Sequence, residues 1–277
     1  MTQYKIVIDV SRCIGCYNCL LACRDEHIGR DHRPVSIGQS ASGQNWIAIQ
    51  EVERGSFPKV KLAHVPISCQ QCADAPCIAA SRNGAVYRRA DGIVVIDSEK
   101  AAGQRNIVES CPYGAIFWNE THDAPQKCTF CAHLLDSGWK EPRCVEVCPT
   151  QAMVFGDAED KSSAVAALLA TQSVESLHPE YETKPLVGYL GLPKPYLVGE
   201  VSLSDQMQQP AAGIRVSLRC GDQVLTTLTD SFGDFEFGDL ASDSEYLLKI
   251  DHPGYQPYEM RLQMAAILDL GNIVLNR

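Results

Sequence analysis

Cysteine spacing constrains this chain more than any other feature. Thirteen cysteines occur in 277 residues; twelve lie between Cys13 and Cys148, and Cys220 stands alone in the last third. The twelve form four runs. These are Cys13-x2-Cys16-x2-Cys19-x3-Cys23, then Cys69-x2-Cys72-x4-Cys77, then a single Cys111 before Pro112, then Cys128-x2-Cys131-x12-Cys144-x3-Cys148 before Pro149. Pairs two residues apart are too close to act as structural staples. Met1 to Val10 also reads as a strand, without the apolar stretch of an export signal, so disulfides rank last. C-x2-C pairs are good zinc half-sites, but zinc usually takes two separated pairs, often with histidine. The run from Cys13 to Cys23 suits an iron–sulfur cube better. Three thiolates in a tight loop cap three irons, and the fourth, on the following helix, points to another cluster. A proline directly after the last cysteine fixes φ and brings no amide donor, which stops a preceding helix beside the site.

Composition sets outer limits. The formal net charge of −10 gives no positive field for phosphates, which argues against a nucleic-acid binder. The length predicts about two domains, and 45% hydrophobic residues suit a globular chain. No apolar run reaches the ~18 residues of a membrane span; Ala164 to Ala170 is far too short. No GxGxxG, Walker A or HExxH motif is present, and no Ser–His–Asp set can be inferred. The chain is expected to hold no catalytic residue of its own.

From Tyr4 to Gly156 the four runs resemble the iron–sulfur (beta) subunits of molybdopterin oxidoreductases of the dimethyl sulfoxide reductase family, which look like two interleaved bacterial ferredoxins. That resemblance implies the ligand sets. One [4Fe–4S] cluster would be held by Cys13, Cys16, Cys19 and Cys148, and a second by Cys23, Cys128, Cys131 and Cys144. A third would be held by Cys69, Cys72, Cys77 and Cys111. The family's fourth set should fall at Ser81, Ala101, Gln104 and Ile107, and none of these is cysteine. A whole set is missing and three whole sets remain, so three clusters are expected. In membrane-bound relatives the fourth cluster ends a wire to a membrane subunit. Its loss implies a soluble complex with no membrane anchor. The location expected is cytoplasmic, or periplasmic if a twin-arginine signal on the partner carries the pair across.

From about Tyr196 clustered cysteines disappear, and acidic residues outnumber basic ones by 12 to 5 up to Arg277. Candidate strands are 199–203, 214–218, 224–228, 235–237, 246–250 and 267–274, separated by turn signals such as Ser231-Phe232-Gly233-Asp234 and His252-Pro253-Gly254. Short strands at this spacing predict a small β-sandwich. The stretch from Thr229 to Phe237, with Leu240 and Tyr246, resembles the transthyretin-like, carboxypeptidase-regulatory sandwiches. Asp230 and Asp234 read as turn formers, and Cys220 has no assigned role. The fold class expected is therefore α+β, with a double ferredoxin-like domain over 1–160 (insertion 29–68), a helix and linker over 161–195, and the sandwich over 196–277. This combination, with the proline-bearing linker at Pro179, Pro185 and Pro193 to Pro195, resembles small subunits of transhydroxylases of the pyrogallol–phloroglucinol type. A resorcinol-type hydroxylase is a near cousin. The resemblance implies an electron-transfer subunit alongside a large subunit that carries molybdopterin guanine dinucleotide and acts on phenols. The alternatives are a respiratory reductase for an arsenic, sulfur or selenium oxyanion, and a zinc-bound interaction module.

Smaller features are read beside these. Arg12, Arg24, Lys127 and Arg143 adjoin ligand positions, where a cation would favour a reduced cluster; each is equally read as a solvated charge. His64, His122 and His133 read as polar packing, since cysteine already fills the sets. Trp46, Trp118 and Trp139 read as core or interface anchors. Two strand pairs are expected, 46–52 with 60–65 about Gly55-Ser56, and 85–87 with 93–97 about Asp91-Gly92. Residues 162–174 predict a helix.

Overall fold

The computed structural model describes residues 2–41, 44–56, 59–206, 209–264 and 267–277. The chain divides into two compact units, Met1–Glu51 with Ala63–Leu192, and Val52–Leu62 with Pro193–Arg277.

The first unit is built on β1 (Tyr4–Asp9), whose Ile6, Val7 and Ile8 are all buried. A strand covered on both faces reads as a continuous apolar run rather than an alternation. After it come α1 (Asn18–His27) and the paired strands β2 (Ile47–Ser56) and β3 (Lys59–Ser68). The distal part of that pair groups with the second unit. Then follow α2 (Pro76–Ala80), β4 (Val86–Arg88), β5 (Val94–Ile96), α3 (Asn106–Glu109), β6 (Ile116–Asn119), β7 (Ala124–Lys127), α4 (Ala132–Asp136), α5 (Arg143–Glu146), β8 (Met153–Asp157), α6 (Ala164–Thr171) and β9 (Val187–Leu190).

β1 is the centre of a three-stranded sheet. It runs antiparallel to β8, with Tyr4 opposite Asp157 and Ile8 opposite Met153. It runs parallel to β9, with Ile6 opposite Val187. β1 leads into the first cysteine run and β8 leaves the last, so their pairing sets those two runs side by side. Between them, the antiparallel pairs β4–β5 and β6–β7 and the helices α2 and α3 carry the middle runs. Ala85, Val86, Val94, Ile96, Ala101, Ile107 and Ile116 pack there around Cys77.

Both expected strand pairs exist. β2 extends through the turn expected at Gly55-Ser56, and residues 57–58 lie outside the described residues. The expected helix over 162–174 is shorter. It starts where Ser163 Oγ accepts the Ala166 N–H at 3.0 Å, and it ends before Gln172, whose backbone is extended. β9 lies inside the segment read from sequence as linker. Its four residues are flanked by Pro185 and Gly191, too short a run to stand out as a strand.

The second unit holds β10 (Tyr196–Leu203), β11 (Arg215–Cys220), β12 (Gln223–Leu228), β13 (Asp234–Phe237), β14 (Glu245–Ile250), β15 (Tyr258–Gln263) and β16 (Ile267–Leu275). They form two sheets, ordered β13-β10-β16 and β12-β11-β14-β15. Leu197, Val201 and Phe235 from the first sheet share one core with Val216, Leu218, Leu248 and Ile250 from the second. All six expected strands are present, and β15 is additional. Its sequence YEMRLQ buries only Leu262, so charged and polar residues hide its alternation. Asp230 Oδ1 accepts the N–H groups of Phe232 (2.8 Å) and Asp234 (3.0 Å), the turn-forming role expected of it. Among the described residues, no helix is long and apolar enough to cross a membrane.

Candidate metal centres

The twelve clustered cysteines gather into three quartets. Cys13, Cys16, Cys19 and Cys148 act on one another electrostatically. Cys23, Cys128, Cys131 and Cys144 line one pocket. Cys69, Cys72, Cys77 and Cys111 line a second. All thirteen cysteines are free, which sets disulfides aside.

The local backbone explains how short loops aim several sulfurs inward. In the leading C-x2-C of three runs the residue before the second cysteine is left-handed: Gly15 (φ 66), Gln71 (φ 50) and Phe130 (φ 51). Such a residue turns successive N–H groups toward one point and makes a concave anion site. Gln71 and Phe130 hold this conformation at the cost of about 1–3 kcal/mol of strain each. At Gly15 a Cβ would also overlap the His64 ring on β3. The two Cys-Pro turns repeat each other. Gly114 (φ 61) and Gln151 (φ 52) stand three residues after Cys111 and Cys148. The N–H of Ala115 reaches Cys111 Sγ at 3.4 Å, and that of Ala152 reaches Cys148 Sγ at 3.3 Å.

Burial makes these thiols hard to ionise. It pushes Cys19, Cys72 and Cys128 up to about 11 and Cys131 to about 12, with neighbouring thiolates adding to the rise. Cys23 and Cys144 are raised well above the ordinary value, again by burial first. Cys148 goes the other way. Burial raises it, but the Thr150 hydroxyl and the N–H groups of Ala152, Met153 and Thr150 outweigh that and hold it below the ordinary value. A ligating thiol must lose its proton, so a bound cationic group supplies the missing compensation.

Spacing separates the possible occupants. Among the described residues, the set of three or more ligating side chains whose donor atoms all lie within 4.8 Å of one another is His27, His32 and His133. The cysteine quartets stand wider. Zinc with bonds near 2.3 Å needs sulfurs about 3.8 Å apart, so the quartets suit a group with several metal atoms.

The second and third quartets share a buried polar joint. Gln71, 0% exposed, donates from Nε2 to Cys128 O (2.8 Å) and accepts the Val94 N–H at Oε1 (2.8 Å). The Lys127 ammonium, on a side chain 2% exposed, donates to Val94 O and to Cys128 O. Its charge favours the thiolates of Cys77, Cys111 and Cys128. Lys127 is thus a buried cation between two quartets rather than a solvated charge. Arg24 instead holds a loop, through Asn45 Oδ1 (2.8 Å) and Ala41 O (2.7 Å). Arg143 faces Glu26 and Glu146, and Arg12 is exposed.

The four positions where the family's further set would fall are filled differently. Ala101 and Ile107 are completely buried in the apolar core around Cys77. Ser81 Oγ donates to Ile78 O, and Gln104 bridges Arg82 N and Lys100 O.

His133 is not isolated polar packing. Its ring stacks on His32 (3.7 Å between centroids, 15°) and meets His27 edge-on at 5.2 Å. Burial, then His133 and His32, push His27 down to about 3, so its imidazole stays neutral. Sequence reading missed His27 and His32. The available signal was His27 lying four residues after Cys23, on the same face of α1. His122 is exposed, Trp46 and Trp118 are buried, and Trp139 lies beside Arg143 at the surface.

A family model described as a 4Fe-4S dicluster domain matches residues 60–158. The pyrogallol hydroxytransferase small subunit of Pelobacter acidigallici is 37% identical, over 99% of this chain and 100% of that protein. A sulfite dehydrogenase subunit of Allochromatium vinosum is 34% identical over 69% of this chain and 83% of that protein. A tetrathionate reductase subunit of Salmonella typhimurium is 35% identical over 69% and 73%. The chain belongs to the iron–sulfur subunits of the dimethyl sulfoxide reductase family of molybdopterin oxidoreductases. It is an iron–sulfur, electron-transfer subunit of an oxidoreductase, with the substrate chemistry in another chain.

Gly15 gives a test of loop geometry. Gly15→Ala should speed oxidative bleaching of the visible iron–sulfur absorbance, because the Cβ displaces His64 and strains a left-handed residue. Adding His64→Ala should restore part of the loss, leaving a backbone cost of about 1 kcal/mol. Bleaching at the wild-type rate in Gly15→Ala would show that the His64 contact does not shape the loop.

Proposed function

We propose that this chain holds three [4Fe–4S] clusters and serves a molybdopterin-bearing large subunit that transforms phenolic compounds, as in a transhydroxylase. Cys13, Cys16, Cys19 and Cys148 hold the first. Cys23, Cys128, Cys131 and Cys144 hold the second, and Cys69, Cys72, Cys77 and Cys111 the third. When bound, such clusters supply reversible one-electron storage and relay. The protein's own task is to position and tune them. The cysteines anchor, the left-handed loop residues present N–H groups to the negative sulfurs, and the apolar walls exclude water. Lys127 offsets negative charge at the second and third sites together.

The single observation that carries the transhydroxylase reading is the extent of similarity. The hydroxytransferase subunit matches across both units, whereas the sulfite dehydrogenase and tetrathionate reductase subunits align with 69% of this chain. The two-sheet second unit, which we read as a transthyretin-like docking module over 196–277, belongs to that full-length match. The apolar filling at Ala101 and Ile107 favours three clusters over four. With no fourth relay, the route to a membrane subunit is interrupted, and the partner is a large catalytic subunit alone.

Purification of the chain from its native host without oxygen tests this reading. It should bring down one large subunit containing molybdenum, and the pair should convert trihydroxybenzenes. Recovery with a membrane subunit, or with activity on an inorganic oxyanion and none on phenols, would overturn it.

Lys127 supplies a second test. A nearby cation favours the more negative, reduced cluster, so removing it lowers the potential. Lys127→Met should lower the midpoint potentials of two clusters and leave the third unchanged, while Lys127→Arg keeps all three near wild type. A redox titration followed by electron paramagnetic resonance reads this. An equal shift in all three, or in none, would contradict the placement of Lys127 between the second and third sites.

A further inference from the structure

We infer that His27 is a positioning residue for the second cluster: its Nε2–H donates to the Cys131 sulfur and raises the midpoint potential of that cluster alone. The inference rests on the three-cluster reading above. His27 Nε2 lies 3.7 Å from Cys131 Sγ, within reach of a large sulfur acceptor. The residue is 1% exposed and lines the same pocket as Cys23, Cys128, Cys131 and Cys144. Much of the remaining wall is apolar, with Ile6, Ile8, Ile47 and Phe130 among its residues.

The chemistry of the contact fixes the tautomer. A ligating thiolate has no proton to give, so the proton between the two atoms belongs to Nε2. Nδ1 is then a bare acceptor, and it is buried with no hydrogen-bond partner. A buried polar atom left unpaired costs about 1–3 kcal/mol. A ring kept for packing alone would be better replaced by an apolar side chain. The bond to sulfur on the other side of the ring is what sets this residue apart from one. His27 also ends α1, one turn after Cys23, so the two lie on one face of the helix.

Neighbouring rings hold the imidazole at its angle. Trp46 lies against it at 4.6 Å between centroids, and His133 and His32 meet it edge-on at 5.2 Å and 5.4 Å. Glu26 Oε1 fixes His133 in turn, accepting from its Nε2 at 3.1 Å. Hydrogen bonds to the sulfurs are one of the terms that set a cluster's potential. Reduction places more negative charge on the cluster, so an N–H aimed at a sulfur stabilises the reduced form and raises the potential. Within an apolar wall that bond is stronger than it would be in water. Cys131 belongs to the second quartet only. His27 therefore acts on one cluster, whereas Lys127 acts on two.

The test is a redox titration of the complex purified without oxygen, followed by electron paramagnetic resonance. His27→Leu should lower one midpoint potential and leave the others in place. The expected loss is up to about tenfold in the reduction equilibrium, which is about 59 mV for one electron. The cluster affected should be one of the two that Lys127→Met lowers. His27→Gln, whose amide keeps a donor, should return it toward the wild-type value. Should His27→Leu lose the cluster, the wild type still decides the matter. With isotope-labelled histidine, pulsed measurements should show a weak nitrogen coupling to one reduced cluster, absent in His27→Gln. Unchanged potentials in His27→Leu, a shift shared by every cluster, or no histidine coupling in the wild type would each overturn the proposal. A complex that lacks the titrating signals themselves would instead count against the cluster reading, so the two failures are distinguishable.

Discussion

Everything in the first unit depends on keeping negative sulfur buried. A thiolate withdrawn from water loses hydration, and the thiols here show it: burial raises Cys19, Cys72 and Cys131 well above their ordinary range. Three devices oppose that cost. Left-handed loop residues turn N–H groups onto the sulfurs. The Cys-Pro turns add a further N–H at the fourth residue. Lys127 places a full charge where two quartets adjoin. An iron–sulfur occupant supplies the remaining positive charge, so occupancy and folding of this unit are coupled.

Topology then decides which cysteines meet. The hydrogen-bonded pair β1–β8 joins the start of the cysteine region to its end, so the first three thiols of one run meet the last of another. The middle runs are carried by shorter hairpins and helices that pack around Cys77. Where Ala101 and Ile107 fill that core, the space is apolar and close-packed.

Much of this was legible in the sequence because cysteine spacing is a strong local signal. The cysteine runs named the candidate ligands, and the six expected strands of the second unit are all present. What was hidden is non-local. β15 carries mostly exposed charged and polar side chains, so its alternation is weak. β9 is four residues long and acquires its identity only by pairing with β1. Lys127 reads as a surface charge until β7 buries it, and its partners are carbonyls. His27, His32 and His133 are separated by loop and helix, and nothing in their spacing brings them together. Local chemistry could be read along the chain, and the environment of each charge required the fold.

Three multi-iron centres held entirely by cysteine are the central proposal. The most direct measurement is iron, acid-labile sulfide and zinc counted per copy of this chain under strict exclusion of oxygen. Three cubes predict about 12 iron and about 12 sulfide. About 8 iron would mean that one quartet is empty, and about 16 would require a fourth centre on ligands other than these twelve cysteines. A chain without iron and with zinc in the quartets would contradict the account outright.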